Sequence, residues 1–318
     1  MGTVREGTSL DLFRLLGYRR WWYLHALSGR HRSDMDGIVA IGGAARSGTT
    51  LLRSMLGRHP MIAGAPELTV FLSRISAPAD IAGRLDWEPA TVEAWQRTSR
   101  SQVEFIERVR DAVLAEAGKP IWAEKTPANV RRFGFIRRAF PRAKLVHIIR
   151  DGRDTVCSLR RKDFAKLRGA AWDSTQAALR CGELWAHDVR AGKRHRGDPA
   201  YYELRYEDLV RAPEETLRPL LAFIGVEWDD SVLSGDAGQC PVSRGTNFLI
   251  ADEAVAAGGL FASSVGRWRS ELTEAQLAAL RPVMAPLLRS LGYETEEAVP
   301  AGELSRGNES ALSASSAG

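Results

Sequence analysis

The chain has 318 residues, enough to bury a full core as one large α/β domain or as one domain with a helical insertion. A hydrophobic content of 44% and a charged content of 26% are ordinary for a soluble globular protein and set aside fibrous or wholly disordered classes. The net charge of +5 suits an anionic ligand but is too small to argue for nucleic acid or a membrane surface, and no long basic stripe interleaved with aromatics is present.

Residues 9–28 read as an amphipathic helix packed on the domain. The segment "RRWWYLHALSGRHR" within and after it carries a twin arginine, but no apolar region follows, so it does not read as an export signal. No run approaches the roughly 18 apolar residues of a membrane span. Cys157, Cys181 and Cys240 are widely spaced and form no CxxC, which reads as reduced thiols in a cytoplasmic protein.

The first strand is expected at 38–41, followed by a glycine loop and a helix to about Gly57. A second extended piece lies around Met61–Ala63 and ends near Glu67. Within 68–118, "QVEFIERVRDAVLAEAG" puts Val103, Ile106, Val109, Val113 and Leu114 on one helical face, stopped by Gly118 and Pro120. "IWAEKTP" predicts a short strand ending at Lys125, with Pro127 suited to a first helical turn. "AKLVHIIRDGRD" is the clearest buried strand, and a helix is expected from about Asp154. "YYELRYEDL" reads as a strand, "APEETLRPLLAFIG" as a helix, 229–265 as a long irregular functional loop, and 273–280 and 281–291 as two helices. The tail 301–318 is small and polar and reads as disordered. Strands alternating with helices predict a parallel α/β sheet in a single domain over 1–300, with its core beginning near residue 37.

The loop in "IVAIGGAARSGTTLLRSML" has the Gly43-x4-Gly48 spacing of a Walker A motif, yet Thr49 and Thr50 stand where that motif requires Lys and Ser/Thr. Glycines let backbone amides approach an oxyanion, and the following helix adds free N–H groups and a positive dipole end. Ser47, Thr49 and Thr50 add hydroxyl donors. The same residues could instead merely turn the chain and start a helix. The cation sits early, at Arg46, so magnesium-dependent γ-phosphate chemistry loses its positioning lysine. A group with less charge than a triphosphate, carried beyond a 5′-phosphate, fits the loop better.

Taken together the motifs resemble the sulfotransferase family that uses 3′-phosphoadenosine-5′-phosphosulfate (PAPS), and look most like its tyrosylprotein-sulfotransferase-like branch, which has bacterial members. "ARSGTTLLRSML" is similar to the 5′-phosphosulfate loop, "LVHIIRDGRDTVCS" to the 3′-phosphate motif, "YYELRYEDLV" to the adenine-side tyrosine segment, and "VGRWRSEL" to a C-terminal Gly-x-Trp segment. The resemblance runs from about residue 38 to 292. It implies a P-loop-type parallel sheet flanked by helices, with helical insertions on the acceptor side. It also implies PAPS as donor, PAP as product and no metal.

Residue by residue, the resemblance assigns the loop from Arg46 through Ser47, Gly48, Thr49 and Thr50 to Leu51 to the 5′-phosphosulfate. Glu67 follows Arg46 by 21 residues, the branch's spacing to its general base. Lys125 precedes Arg150 by 25, the spacing to its catalytic lysine. Arg150 and Ser158 then hold the 3′-phosphate. Lys162, four residues beyond Ser158, stands where relatives usually carry Arg. Tyr206 flanks the nucleotide, or is an ordinary core tyrosine. The phosphate clamp of cytosolic members aligns with "FASSVG", which has no cation, leaving Ser263, Ser264 or Arg267 to substitute; Ser243 matches a transition-state serine only loosely. The acceptor is a hydroxyl, on a small molecule or natural product or on a tyrosyl group. A P-loop kinase and a non-catalytic nucleotide-binding module are the alternatives.

Overall fold

A computed structural model describes residues 32–73, 75–161, 173–234 and 264–294. The expected helix at 9–28, the tail at 301–318, Lys162, Cys240, Ser243 and Ser263 lie outside the described residues.

Strand β1 (Ile38–Gly42) leads through the glycine loop into helix α1 (Thr49–Arg58), and β2 (Ile62–Gly64) follows. Three helices come next, α2 (Pro78–Leu85), α3 (Pro89–Thr98) and α4 (Gln102–Ala117). The last starts at a Ser101 cap, whose side chain accepts from Glu104 N, and stops at Gly118 with φ 62°. Strand β3 (Ile121–Lys125) runs into a 3-10 turn at Pro127–Arg132 and α5 (Phe133–Ala139). Then come β4 (Lys144–Ile149), α6 (Gly152–Arg161), α7 (Thr175–Lys193) and β5 (Tyr201–Arg205). Helices α8 (Tyr206–Arg211), α9 (Pro213–Ile224), α10 (Trp268–Glu271) and α11 (Glu274–Ser290) complete the described chain.

The described residues form one five-stranded sheet in the order β2-β3-β1-β4-β5, with every pair parallel. Apolar side chains alternate between its faces. Ile38, Trp122 and Leu145 pack with Phe71, Val109 and Phe133 on one side. Val39, Val146 and Ile148 pack with Leu52, Met55, Leu217 and Leu221 on the other. A third cluster joins Val156, Trp185, Leu280 and Met284 beyond the end of β4. Register pairs Gly64 with Ala123, Ile41 with Lys125, Gly42 with His147 and Ile149 with Arg205, so the strand ends step outward along the carboxyl edge from β2 to β4 and β5. Ligands bind at that edge in open α/β sheets.

Three expectations need correction. "YYELRYEDL" is a strand only to Arg205; Glu207 and Asp208 then occupy the first turn of a helix, where their charge favours the positive dipole end. The expected break at 280/281 is absent, and α11 is continuous through Pro282 and Pro286. A capping box of Thr273 with Gln276 starts it, and the buried Leu280, Met284, Leu287 and Leu288 hold its face, offsetting the roughly 3 kcal/mol that an interior proline costs. Helix α6 begins at Gly152 rather than near Asp154.

Helix α1 reaches β2 through a glycine–glycine contact. A Cβ on Gly64 would lie 2.9 Å from Gly57 Cα and 3.1 Å from Arg53 O. Gly64→Val is therefore expected to lower stability by about 1–3 kcal/mol in urea denaturation, through overpacking at a seam with no room to give.

Candidate active site

The glycine loop leaves β1 at this carboxyl edge and is fixed from two directions. Gly43 N donates to Pro127 O at 3.0 Å, tying the loop to the turn after β3. A Cβ on Gly43 would meet Ile148 O at 2.4 Å, so only glycine fits against β4. Gly48 takes φ 92°, and a Cβ there would fall 2.3 Å from the Tyr206 ring. Arg46 holds φ 73°, a left-handed conformation that costs a non-glycine residue about 1–3 kcal/mol and that occurs where a site dictates backbone direction. Gly48 caps α1 without a side-chain hydrogen bond, and no acidic residue sits in the first turn. The helix's first N–H groups thus meet no carboxylate of that turn. Ser47 Oγ is buried without a hydrogen-bond partner. In a loop of this shape such a donor is suited to an anion.

The 3′-phosphate candidates converge on the same loop. Arg46 Nε donates to Ser158 Oγ at 3.1 Å, bridging the glycine loop and α6. Arg150, which follows β4, donates to Arg46 O at 3.2 Å and to Ser264 O at 2.5 Å. Its guanidinium lies 4.5 Å from the centre of the Tyr206 ring, and its Nε has no hydrogen-bond partner. Tyr206 is 3% exposed and shares a 2.9 Å hydrogen bond with Ser264 Oγ, so it is both a core tyrosine and a wall of this site. Burial, then Arg150 and Arg267, hold the Arg46 pKa below its ordinary value. Arg150 is buried, Arg267 half-buried and Arg46 exposed, so three guanidinium groups crowd together where the site opens to solvent. Arg267 Nε makes no hydrogen bond, and its nearest carboxylate is Glu271 at 3.9 Å.

Arg150 does not pair with the acidic residues beside it. Asp151 is bound bidentately by Arg153, at 2.7 and 3.1 Å. The Asp154 carboxylate accepts from Gly266 N at 2.7 Å and Trp268 N at 3.0 Å. Asp154 thereby pins the Gly-x-Trp segment against α6 and brings Ser264 and Arg267 to the loop. The sequence analysis offered Asp154 only as the expected start of a helix. A buried acid four residues after a strand-end arginine gave no sign that its ligands were two distant backbone amides.

One strand over, Lys125 Nζ forms a 3.0 Å ion pair with Glu67 Oε2. Lys125 is 6% exposed, whereas the Glu67 side chain is 38% exposed and accessible from outside. Burial pulls the Lys125 pKa down, and Glu67 is the main group opposing that fall. The Glu67 carbonyl accepts from Arg84 of α2. Glu124, which the sequence analysis did not single out, is fully buried beside the pair and accepts from Thr126 Oγ1 at 2.7 Å, from Leu68 N at 3.4 Å and from Asn129 Nδ2. An acidic position directly before Lys125, at the end of an apolar run, was its only signal. His59 is structural: Met61 N donates to its Nδ1 at 3.1 Å, and its Nε2 lies 2.9 Å from Glu227 O. Cys157 and Cys181 are free and buried, and burial pushes the Cys157 thiol up to about 12, so neither is poised as a nucleophile.

The arrangement contains an anion cradle with surplus positive charge and, on the neighbouring strand, a carboxylate–ammonium pair. Such a site can hold a nucleotide carrying two separate anionic groups and can present a base and a cation to a bound group. Among the described residues no helix is long and apolar enough to cross a membrane.

The Sulfotransferase family model matches residues 39–230 of the chain, from β1 to the turn after α9. Curated relatives include protein-tyrosine sulfotransferase 1 of Danio rerio, 26% identical over 83% of this chain and 74% of that protein. The Homo sapiens protein of the same name is 27% identical over 92% of this chain and 75% of its own. An uncharacterized Aquifex aeolicus protein is 29% identical over 76% of this chain, which spans only 32% of that longer protein. Among solved structures, the sulfotransferase domain of the Synechococcus PCC 7002 olefin synthase aligns with a TM-score of 0.63 at 22% identity, covering 84% of this chain and 98% of that one. A mouse sulfotransferase solved with PAP aligns with a TM-score of 0.52 at 15% identity, over 84% and 89%. These likenesses bear out the parallel-sheet sulfotransferase fold.

Asp154→Ala leaves the N–H groups of Gly266 and Trp268 without their acceptor. It is expected to cost about 1–3 kcal/mol in urea denaturation; an unchanged midpoint would mean that the segment is not held this way.

Proposed function

Because this chain belongs to the sulfotransferase family, we propose that it transfers a sulfonate from PAPS to a hydroxyl acceptor, within one domain over 1–300 whose core begins near residue 37. The observation that carries the reading is the crowding of Arg46, Arg150 and Arg267 around the glycine loop, where the Ser47 hydroxyl and Arg150 Nε have no hydrogen-bond partner among the described residues. Like charges held this close repel one another, and a nucleotide with a phosphate at each end relieves the repulsion.

The donor supplies a sulfuryl group on an activated phosphosulfate. The chain's own groups divide the remaining work. The amides of 47–51 and the hydroxyls of Ser47, Thr49 and Thr50 receive the 5′-phosphosulfate, with no lysine needed after Gly48. Arg150, Ser158 and Arg267 receive the 3′-phosphate, with Ser264 held beside them by Tyr206. Arg46 reaches from the 5′ side towards the 3′ side, a reading supported by its bond to Ser158. Lys125 and Arg46 face the developing charge on the bridging oxygen. Glu67, the more exposed partner of its ion pair, takes the proton from the acceptor hydroxyl. Lys162 and Ser243 extend the proposal to positions outside the described residues.

For the acceptor we propose a small-molecule alcohol or phenol. The names of the animal relatives make a tyrosyl phenol the next class to test.

PAP at about 100 times its Kd is expected to stabilise the protein by about 2.7 kcal/mol in EDTA-containing buffer, seen as a rise in Tm. Arg150→Ala is expected to remove that rise, and its persistence would displace Arg150 from the nucleotide site. With PAPS and a panel of phenols and alcohols, mass-detected sulfonate transfer is expected. Glu67→Gln or Lys125→Ala should lower kcat about 10²–10³-fold while PAP still binds. Equal kcat in Glu67→Gln and the unaltered protein would remove Glu67 as the base.

A further inference from the structure

We propose that Glu124 is a positioning residue: its buried carboxylate locks the Glu67 segment and the end of β1 into one frame and gives Lys125 a second negative neighbour. The inference rests on the sulfotransfer reading for its consequence, but its geometry stands apart from it.

Every contact of Glu124 is with a donor. Oε1 accepts from Leu68 N at 3.4 Å and from Thr126 Oγ1 at 2.7 Å, and Oε2 accepts from Asn129 Nδ2. The partners carry the constraint outward. Thr126 Oγ1 in turn accepts from Thr69 N at 3.2 Å, so residues 68 and 69, directly after Glu67, are both fastened to this carboxylate or its neighbour. The second N–H of the Asn129 amide donates to Ile41 O at 3.2 Å, one residue before the end of β1 and two before Gly43. A single side chain therefore couples the base-bearing segment to the root of the anion loop. The network is charge-assisted only when Glu124 is ionised; a proton or an amide at this position would set a donor against a donor.

The electrostatics point the same way. Lys125 is faced by Glu67 from the segment after β2, by Arg53 from α1 and by Glu124 from its own strand. The two carboxylates favour the ammonium, whereas burial and Arg53 oppose it. Burial raises Glu124 to about 7, and Glu67 is the charged group that pushes it the same way. As pH falls through about 7, Glu124 takes up a proton, the donor-only network loses one contact, and Lys125 loses part of its support. An acidic limb of kcat near pH 7 follows, in a protein whose PAP affinity stays level over the same range.

Two variants, Glu124→Gln and Thr126→Val, separate charge from alignment. Lys125 is followed by 13Cε-lysine NMR, assigned with Lys125→Arg, and PAP affinity by calorimetry. Turnover is measured with PAPS and 4-nitrophenol as acceptor probe. The Lys125 titration midpoint is expected to fall in Glu124→Gln and to hold in Thr126→Val. In both variants kcat should drop about 10–100-fold with PAP Kd within about threefold, since small misplacements of reacting groups have that effect. The acid limb should vanish in Glu124→Gln. An unmoved Lys125 midpoint in folded Glu124→Gln, or PAP affinity falling in step with kcat, overturns the proposal. If Glu124→Gln shows no cooperative melting, Thr126→Val decides, and unchanged kcat there overturns it. Failure of the unaltered protein to bind PAP would instead sink the functional reading and leave the Lys125 titration as the test of Glu124.

Discussion

Positive charge that the fold itself does not neutralise is concentrated at the carboxyl edge of the sheet, and the surrounding structure is arranged to keep it there. Arg150 follows a strand buried on both faces, Arg46 sits in a left-handed turn, and Arg267 is drawn in because Asp154 holds the backbone on either side of it. Neighbouring acids are diverted: Asp151 is taken by Arg153, and Asp154 by two amides. Had either acid paired with Arg150, the edge would be a satisfied ion-pair network. With both occupied elsewhere, the site keeps its appetite for an anionic ligand.

The glycines serve the same end by allowing close approach. Gly43 lies against the β4 backbone and Gly48 against the Tyr206 ring, so the loop is clamped between its neighbours with no side chain filling the cradle. Tyr206 joins three functions through contacts alone: it packs on the loop, lies under the Arg150 guanidinium and bonds Ser264. The carboxylate–ammonium pair is fastened separately, on β3 and the segment after β2, with Glu124 beneath it. On the proposed reading, binding and proton transfer belong to adjoining strands of one sheet, an arrangement that keeps errors in reacting distance small.

Much of this was legible in the sequence because the informative features are local. Gly43-x4-Gly48 after an apolar strand, Arg150 closing the "KLVHII" run, and Pro127 after Lys125 each mark a strand end by composition alone. The spacing of Glu67 from Arg46 and of Lys125 from Arg150 gained meaning through family resemblance, and the ion pair then brought Glu67 and Lys125 together. The illegible features are long-range or depend on competing local preferences. Asp154 and Glu124 act on partners far along the chain or across strands, and no periodicity encodes that. Helix α7 escaped notice because its buried face is built from Ala178, Cys181, Gly182 and Ala186 around a single Trp185, too small a set to give an apolar stripe. Helix α11 runs unbroken past the break expected at 280/281 and through Pro282 and Pro286, because its cap and its packing outweigh the two lost hydrogen bonds.

The central claim is spatial, and a crystal structure of the complex with PAP tests it most directly. The account predicts the 5′-phosphate on the amides of 47–51 with Ser47 Oγ donating to it. It also predicts the 3′-phosphate on Arg150 and Ser158, and the Glu67–Lys125 pair facing the position beyond the 5′-phosphate. PAP bound away from the glycine loop, or bound there with Arg150 turned aside and the pair on the far side of the sheet edge, would contradict it.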